Sequence, residues 1–185
     1  MYQLITSLVV PRPIAWISTV DLAGRRNLAP YSYFTLVADH PPHVAFSSIG
    51  EKDTLRNIRA TGEFVVNVAD QRLLKQLDRS AEHFGPGQDE FLEAGVTAVP
   101  ALRVRPNRVA EAPAHLECEL VDVYPVGNGN LVVGRVVHVQ VDPRVWRDGR
   151  ADSRLLDPVL RLSRCYGRLS PEVTPEEEPA PHVFE

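Results

Sequence analysis

Three short segments in the first third of the chain carry the groups best suited to hold a ligand. They are PRPIAWIST at residues 11–19, NLAPYSYF at 27–34 and SSIGEKDTLRNI at 47–58. Each lies at a predicted strand edge or helix start and is rich in small, hydroxyl-bearing or proline residues that leave backbone N–H and C=O groups exposed. Together the segments predict a surface for a phosphorylated planar ligand.

The third segment contains the strongest candidate for a phosphate site. A helix predicted to begin near Thr54 presents free backbone N–H groups and the positive end of its dipole. A phosphate there would also receive hydrogen bonds from the hydroxyls of Ser48 and Thr54 and from the ammonium of Lys52. In the simpler interpretation Asp53 caps the helix and Lys52 is solvated, and the segment alone favours it.

The first two segments offer groups for a planar ring. Pro30 cannot donate to a strand ladder, so its neighbours leave polar backbone groups free for a ring edge. Trp16 shares a predicted strand face with Ile14 and is a candidate core residue, dimer contact or wall beside the ligand. Taken alone, residues 27–34 are more simply interpreted as an edge strand with aromatic packing.

A second possible constellation lies on a later strand. His115, Glu117 and Glu119 alternate and therefore share one face, as a metal or acid–base site would require. Apolar residues and a cysteine occupy the other face, so the alternation favours a solvated strand surface, and no metal is expected. Cys118 and Cys165 have no CxxC spacing; buried free thiols are predicted, with a bridge left open.

No familiar catalytic motif supports another chemistry. GxSxG, HExxH, Walker A and GxGxxG sequences are all missing from the chain. Serine hydrolase, zinc protease, nucleotide-triphosphatase and Rossmann functions therefore have no motif support. If the chain performs a reaction, we expect a bound cofactor to supply the chemistry.

The elements that must position these groups are mostly strands. Strands are predicted over 14–20, 27–36, 43–48, 64–68, 114–124 and 131–141, and helices over 54–60 and 71–79. The glycine–asparagine connector at 125–130 indicates a hairpin. Because strands dominate and their connections are short, the prediction is an antiparallel Greek-key barrel with a few added helices. It would occupy residues 1–170, followed by an acidic, proline-rich tail at 171–185.

Composition narrows the range of partners and compartments. The 185 residues have a net charge of −4 and are 44% hydrophobic, which is ordinary for one globular domain. Since there is no general basic field, nucleic acid is not an expected partner. No apolar stretch reaches membrane-spanning length, so neither a membrane nor export is expected, and the cytoplasm is the default location.

The order of the motifs resembles the flavin reductase-like, FMN-binding split-barrel family. The similar segments are Pro11–Ala15, Asn27–Phe34, His40–Pro42, Lys52–Ile58 and Glu63–Val68. Looser similarity continues through Arg161 and Tyr166. The likeness therefore covers roughly residues 11–166 and is most specific in the first third.

The resemblance implies an FMN-binding homodimer with the flavin near the subunit interface. It places one group of residues beside the ring and ribityl chain, namely Asn27, Ala29, Pro30, Tyr31 and Ser32. A second group would surround the phosphate, namely Ser47, Ser48, Lys52, Asp53 and Thr54. Arg12 and Trp16 are further neighbours in this prediction, and no side chain is expected to act as a catalytic acid or base.

Three hypotheses follow for the function. In the first, the protein is an NAD(P)H:flavin oxidoreductase that supplies reduced flavin to a partner monooxygenase or passes electrons onward. In the second, it is a non-enzymatic FMN-binding protein or electron carrier of the flavoredoxin kind. The third is a structural or interaction protein without flavin, and the absorbance spectrum of the purified protein would distinguish it from the first two.

Overall fold

A computed structural model of the chain describes residues 1–85 and 88–170. The tail predicted at 171–185 lies outside the described residues. The helices are α1 (Tyr2–Leu8), α2 (Asp53–Thr61), α3 (Leu74–Arg79), α4 (Glu90–Ala94) and α5 (Ser153–Leu156). The longer strands are β2 (Ala15–Val20), β3 (Arg26–Tyr31), β4 (Phe34–Asp39), β5 (Pro42–Ile49), β6 (Glu63–Val68), β9 (Ala114–Val126) and β10 (Gly129–Val141). The two-residue strands are β1 (Arg12–Pro13), β7 (Ala98–Val99), β8 (Arg108–Val109), β11 (Trp146–Arg147), β12 (Arg150–Ala151), β13 (Leu160–Arg161) and β14 (Tyr166–Gly167).

One large antiparallel sheet organises the fold. Its seven strands run in the order β3-β2-β6-β9-β10-β5-β4, and β1, β13 and β14 form a smaller sheet. Because β2 neighbours β6 and β10 neighbours β5, the sheet is not a simple meander, which agrees with a Greek-key path. The predicted hairpin is confirmed as the β9–β10 pair, in which Val126 faces Gly129. The mainly-β antiparallel fold with few helices is therefore confirmed.

The large sheet curls around one hydrophobic core. The Tyr31 ring of β3 lies 4.8 Å from the Phe46 ring of β5, and Phe46 lies 5.7 Å from Phe64 of β6. At the same end the Ser47 backbone N–H donates to the Tyr33 carbonyl at 2.8 Å. The two ring contacts join strands that are distant in the sheet order, as closure into a barrel requires, whereas the Ser47 hydrogen bond continues the pairing of β4 with β5.

A second core lies on the other face of β2. Ile14 and Trp16 pack there with residues of α3 and α4, whereas Ala15 and Ile17 face the barrel core. Trp16 is fully buried, and its indole Nε1–H donates to the Ser80 hydroxyl at 2.8 Å. The face shared by Ile14 and Trp16 is thus confirmed, and so is the core position of the indole.

Two local predictions in the first third are wrong. The strand predicted over residues 27–36 is interrupted at Ser32 and Tyr33, which separate β3 from β4. Helix α2 begins one residue earlier than predicted, so Lys52 is its N-cap and Asp53 lies inside the first turn. The Asp53 carboxylate pairs with Arg56 instead of capping the helix. The Gly62 terminus is confirmed, since that glycine ends the helix with φ of 73°.

The solvated face predicted for β9 is also wrong. His115 and Glu117 are buried, and Glu117 is fully so, because residues 98–109 pass over this face of the strand. The Glu117 carboxylate accepts hydrogen bonds from the backbone N–H groups of Leu102 and Arg103 at 2.6–3.1 Å. Glu119 does stay half-exposed and pairs with Arg135. Alternation cannot reveal a covering segment that comes from elsewhere in the chain.

The structure also bears on the predictions for the two cysteines and for membrane-spanning segments. Both cysteines are free thiols, as predicted, but only Cys118 is buried, whereas Cys165 is exposed in the turn before β14. Burial raises the pKa of the Cys118 thiol, so it stays protonated and unreactive. Within residues 1–85 and 88–170 no helix is long and apolar enough to cross a membrane.

Candidate functional site

A pocket of about 280 Å³ lies where the barrel, the small sheet and α1 meet. Its described lining consists of Tyr2, Arg12, Ile14, Pro30, Tyr31, Ser32, Tyr33, Ser47, Ile49, Lys52, Ala81, Arg161, Ser163 and Tyr166. This lining contains three cations and four tyrosines, and none of these described residues is Asp or Glu. In a chain of net charge −4, such a lining favours an anionic ligand with an aromatic part.

One end of the pocket is the N-terminus of α2. The first helical hydrogen bond runs from the Arg56 N–H to the Lys52 carbonyl at 3.0 Å, so the N–H groups of residues 53–55 have no acceptor within the helix. No side chain of the described residues caps this helix. Lys52 and Ser47 line the pocket beside these groups. Free N–H groups, the helix dipole and an ammonium together fit a phosphate.

Behind this end, a buried hydrogen bond fixes the helix to the sheet. The Thr54 hydroxyl donates to the Asn27 side-chain oxygen at 3.0 Å, and both residues are buried. Ser48 is fully buried beside them, with its hydroxyl directed to the Gly50 carbonyl at 3.3 Å. These polar groups therefore position the pocket wall from behind instead of lining it.

The break between β3 and β4 forms a second wall of the pocket. Tyr31 is buried against Phe46, and this burial raises the pKa of its hydroxyl. Tyr33 lies beside Arg12, whose guanidinium carbon is 5.8 Å from the ring centroid. Burial, and then the neighbouring Tyr2 hydroxyl, raises the pKa of Tyr33. Both phenols consequently remain neutral at physiological pH and add no negative charge to the pocket.

Arg12 connects three parts of the wall. It is buried, and its Nη1 donates to the carbonyls of Thr6 at 2.9 Å and Val9 at 2.5 Å. Its Nη2 donates to the Leu162 carbonyl at 3.0 Å. The arginine thereby holds the end of α1 and the β13–β14 turn against β1, as a cation at a helix C-terminus does. Its buried Nε has no hydrogen-bond partner among the described residues.

Arg161 and Tyr166 complete the pocket from the small sheet. The Arg161 guanidinium carbon lies 4.7 Å from the centroid of the Tyr166 ring. The Tyr166 hydroxyl donates to the Asp78 carboxylate at 2.7 Å. Burial, followed by this hydrogen bond to Asp78, raises the pKa of Tyr166 to about 12. The small sheet therefore offers a stacked guanidinium and a neutral phenol to the pocket.

Half of the sequence-predicted site residues line this pocket. They are Arg12, Pro30, Tyr31, Ser32, Ser47 and Lys52. The other six lie outside the lining: Trp16 in the second core, Asn27, Ser48 and Thr54 behind the wall, Ala29 within β3, and Asp53 on the exposed side of α2.

Sequence reasoning missed several lining residues, including Tyr2, Arg161 and Tyr166. Tyr2 lies on α1, whose start has no cap signal in the sequence, because its N-cap is Met1 and no side chain of the described residues caps it. Arg161 and Tyr166 did appear in the looser part of the family resemblance. Their two-residue strands give no periodic signal, so only their pairing with β1 shows that they reach the pocket.

A larger cavity, of about 620 Å³, lies beside Asn27 and Asp53 and is a weaker candidate. The three arginines of its described lining already pair with carboxylates: Arg25 with Asp21, Arg26 with Asp89, and Arg56 with Asp53. A ligand anion would have to displace these partners. The uncompensated charge of the smaller pocket makes it the better site.

Comparisons with known proteins identify the family of this chain. Residues 7–154 match the family model described as flavin reductase like domain. An uncharacterized protein of Halalkalibacterium halodurans is 36% identical over 180 residues, covering 90% of this chain and 86% of its own. The chain therefore belongs to the flavin reductase-like family.

Two solved structures show how far the likeness extends. Nitrilotriacetate monooxygenase component B from Bacillus cereus is 33% identical, with a TM-score of 0.90 and coverage of 94% of this chain and 91% of that chain. Flavoredoxin of Desulfovibrio vulgaris is 25% identical, with a TM-score of 0.83 and coverage of 90% and 91%. The fold is thus shared along nearly the whole chain by an oxygenase component and by a flavoredoxin.

Proposed function

We propose that this protein binds FMN in the 280 Å³ pocket and acts as an NAD(P)H:flavin oxidoreductase. The observation that carries the proposal is the uncapped N-terminus of α2 beside Lys52, in a pocket whose described lining has cations and no carboxylate. Membership of the flavin reductase-like family supports the choice of flavin among phosphorylated planar ligands. FMN, when bound, would supply the redox chemistry by accepting a hydride from NAD(P)H, which leaves as NAD(P)⁺.

The residues of the chain then have binding and positioning roles. Lys52, Ser47 and the free N–H groups of α2 would bind the phosphate. Pro30, Tyr31 and Ser32 would border the ring. Because their pKa values are raised, the phenols of Tyr31 and Tyr166 stay protonated and leave the positive charge of the pocket intact.

The homodimer belongs to the same proposal. α1 presents Leu4 and Leu8 to solvent, with 60% and 72% of their surfaces exposed, and the edge strand β4 exposes Leu36 and Val37. Large apolar residues exposed in groups are typical of a protein interface. At about 280 Å³, the pocket is also slightly below the usual volume of a cofactor site. A second copy would cover the apolar surface and enclose the flavin, and light scattering should then give twice the 20.6 kDa chain mass.

The first experiment on this proposal is the absorbance spectrum of the purified protein, followed by titration with FMN. Anaerobic addition of NADH and, separately, NADPH should bleach the flavin absorbance, and the faster donor identifies the preference. A protein that shows no flavin spectrum and no FMN titration would overturn the proposal.

The second candidate is an electron carrier, which the structural likeness to a flavoredoxin favours. Such a protein would keep its flavin through gel filtration and would be reduced by a protein donor but not by NAD(P)H. The likeness to a monooxygenase component B supports the reductase instead, with an oxygenase as the consumer of reduced flavin. Transfer of reduced flavin to an added oxygenase would separate the two.

A further inference from the structure

The small sheet places two arginines directly opposite one another. In the antiparallel pair of β1 and β13, Arg12 faces Arg161 in register. Directly opposed residues of such a pair project to the same side, and both of these line the pocket. Like charges in this position repel each other and destabilise the pair, unless a group of opposite charge lies between them.

No carboxylate of the described residues forms an ion pair with either arginine. Among the described residues, Arg12 donates hydrogen bonds only to backbone carbonyls, and its buried Nε has no partner there. The carbonyls satisfy N–H groups of Arg12 but carry no full negative charge. Asp78 is the acid bonded to this part of the wall, and it accepts the hydroxyl of Tyr166. The charge of the pair is therefore left for a ligand to neutralise.

The geometry favours phosphate oxygens as that ligand. Guanidinium groups present several N–H donors in one plane, which match phosphate oxygens in pairs. Tyr33 lies beside Arg12 and Tyr166 stacks under Arg161, so each guanidinium has an aromatic support in the wall. Lys52 and α2 supply a phosphate site from the barrel, whereas the arginine pair belongs to the small sheet. One pocket thus contains two cationic sites on separate elements.

We propose that Arg12 and Arg161 form a second phosphate subsite that binds the diphosphate of a dinucleotide entering the flavin pocket. The inference rests on the proposed function, because the Lys52 end is taken to hold the flavin phosphate. A dinucleotide diphosphate has two possible sources here: the hydride donor NAD(P)H, or FAD bound in place of FMN. Both present the same oxygens to the arginine pair, so binding experiments must separate them.

The test uses Arg161→Gln, with Arg161→Lys as the conservative variant. The matched control is Arg164→Gln in the same hairpin, whose arginine is exposed and outside the pocket lining. In the first arm, FMN-loaded protein is titrated calorimetrically with ADP-ribose, which has the diphosphate but no nicotinamide. In the second arm, flavin-free protein is titrated with FMN and with FAD by flavin fluorescence.

We expect Arg161→Gln to weaken one diphosphate ligand at least tenfold, with Arg161→Lys in between and Arg164→Gln within twofold of wild type. A loss confined to ADP-ribose identifies the hydride donor as the source, and a loss confined to FAD identifies the flavin. FMN affinity should stay within twofold in every variant.

Two results would overturn the subsite: unchanged affinity for both ADP-ribose and FAD, or an equal loss for FMN. Should the protein bind no flavin at all, the proposed function fails separately. ADP-ribose binding to the flavin-free protein then still decides whether the arginine pair is an anion site.

Discussion

Two regions of this molecule contain buried charged groups, and among the described residues only one of the two regions supplies the compensating groups. On the covered face of β9, the Glu117 carboxylate accepts two backbone N–H groups and lies 4.0 Å from the Arg108 guanidinium. In the pocket, Arg12 is buried and Lys52 and Arg161 line the wall without a carboxylate among the described residues. A charge that the fold itself neutralises is part of the structure, whereas an uncompensated charge in a cavity marks a place for a ligand.

The largest effect should come from the β9 region. Replacement of Glu117 by Ala leaves the N–H groups of Leu102 and Arg103 buried without an acceptor, so the free energy of unfolding should fall by about 2–4 kcal/mol. Urea denaturation measures it. In the control Glu119→Ala, which removes a half-exposed surface pair with Arg135, the loss should stay below about 1 kcal/mol. Equal, small losses in the two variants would contradict the structural role of Glu117.

The pocket should respond in affinity instead of stability. Lys52→Ala removes an ammonium beside the α2 N-terminus, so FMN binding should weaken by about 1–3 kcal/mol, or roughly 5- to 150-fold. Fluorescence titration with FMN measures the change. Lys75, the other lysine of the chain, is exposed on α3 and outside the pocket lining, so Lys75→Ala is the matched control with unchanged affinity. If both variants bind FMN as wild type does, Lys52 is not a phosphate ligand.

The variant Trp16→Phe tests whether this fully buried residue belongs to the second core or to the flavin pocket. Trp16→Phe loses the hydrogen bond to Ser80 and leaves space in the second core, so the free energy of unfolding should drop by about 1–2 kcal/mol. FMN affinity should remain within twofold, because the indole lies outside the pocket lining. Intact stability together with a large loss of FMN affinity would instead place Trp16 in the flavin site.

The smallest expected effect is a pH dependence from the β9 region. Burial lowers the pKa of His115, whose Nε2–H donates to the Val109 carbonyl at 2.8 Å. The unfolded chain therefore binds a proton below about pH 6.5 that the folded protein does not, and stability falls as the pH drops, by at most about 1.4 kcal/mol per pH unit. His115→Gln should reduce this slope in urea denaturation series at several pH values. The exposed variant His83→Gln is the control, and an identical slope in both would contradict the assignment.

Much of the barrel was predictable because its strands are long and regular. β9 and β10 are β-branched runs on either side of a glycine–asparagine turn, and the short helix α2 carries its glycine terminus in the sequence. The small sheet was not predictable, because two-residue strands such as β13 have no periodicity. The covered face of β9 was missed for a related reason: residues 98–109 carry no signal of where they pack.

The sequence by itself determined the class of protein, since the order of the motifs between Pro11 and Val68 pointed to a flavin reductase-like barrel. It also identified Lys52 and the helix start as a phosphate candidate, because local hydrogen-bonding groups decide that chemistry. Only the tertiary structure decided which charges are neutralised. The surroundings of Glu117 and of Arg161 are formed by chain segments that are distant in sequence. Because electrostatic compensation depends on distance in space, the sequence alone could not show it.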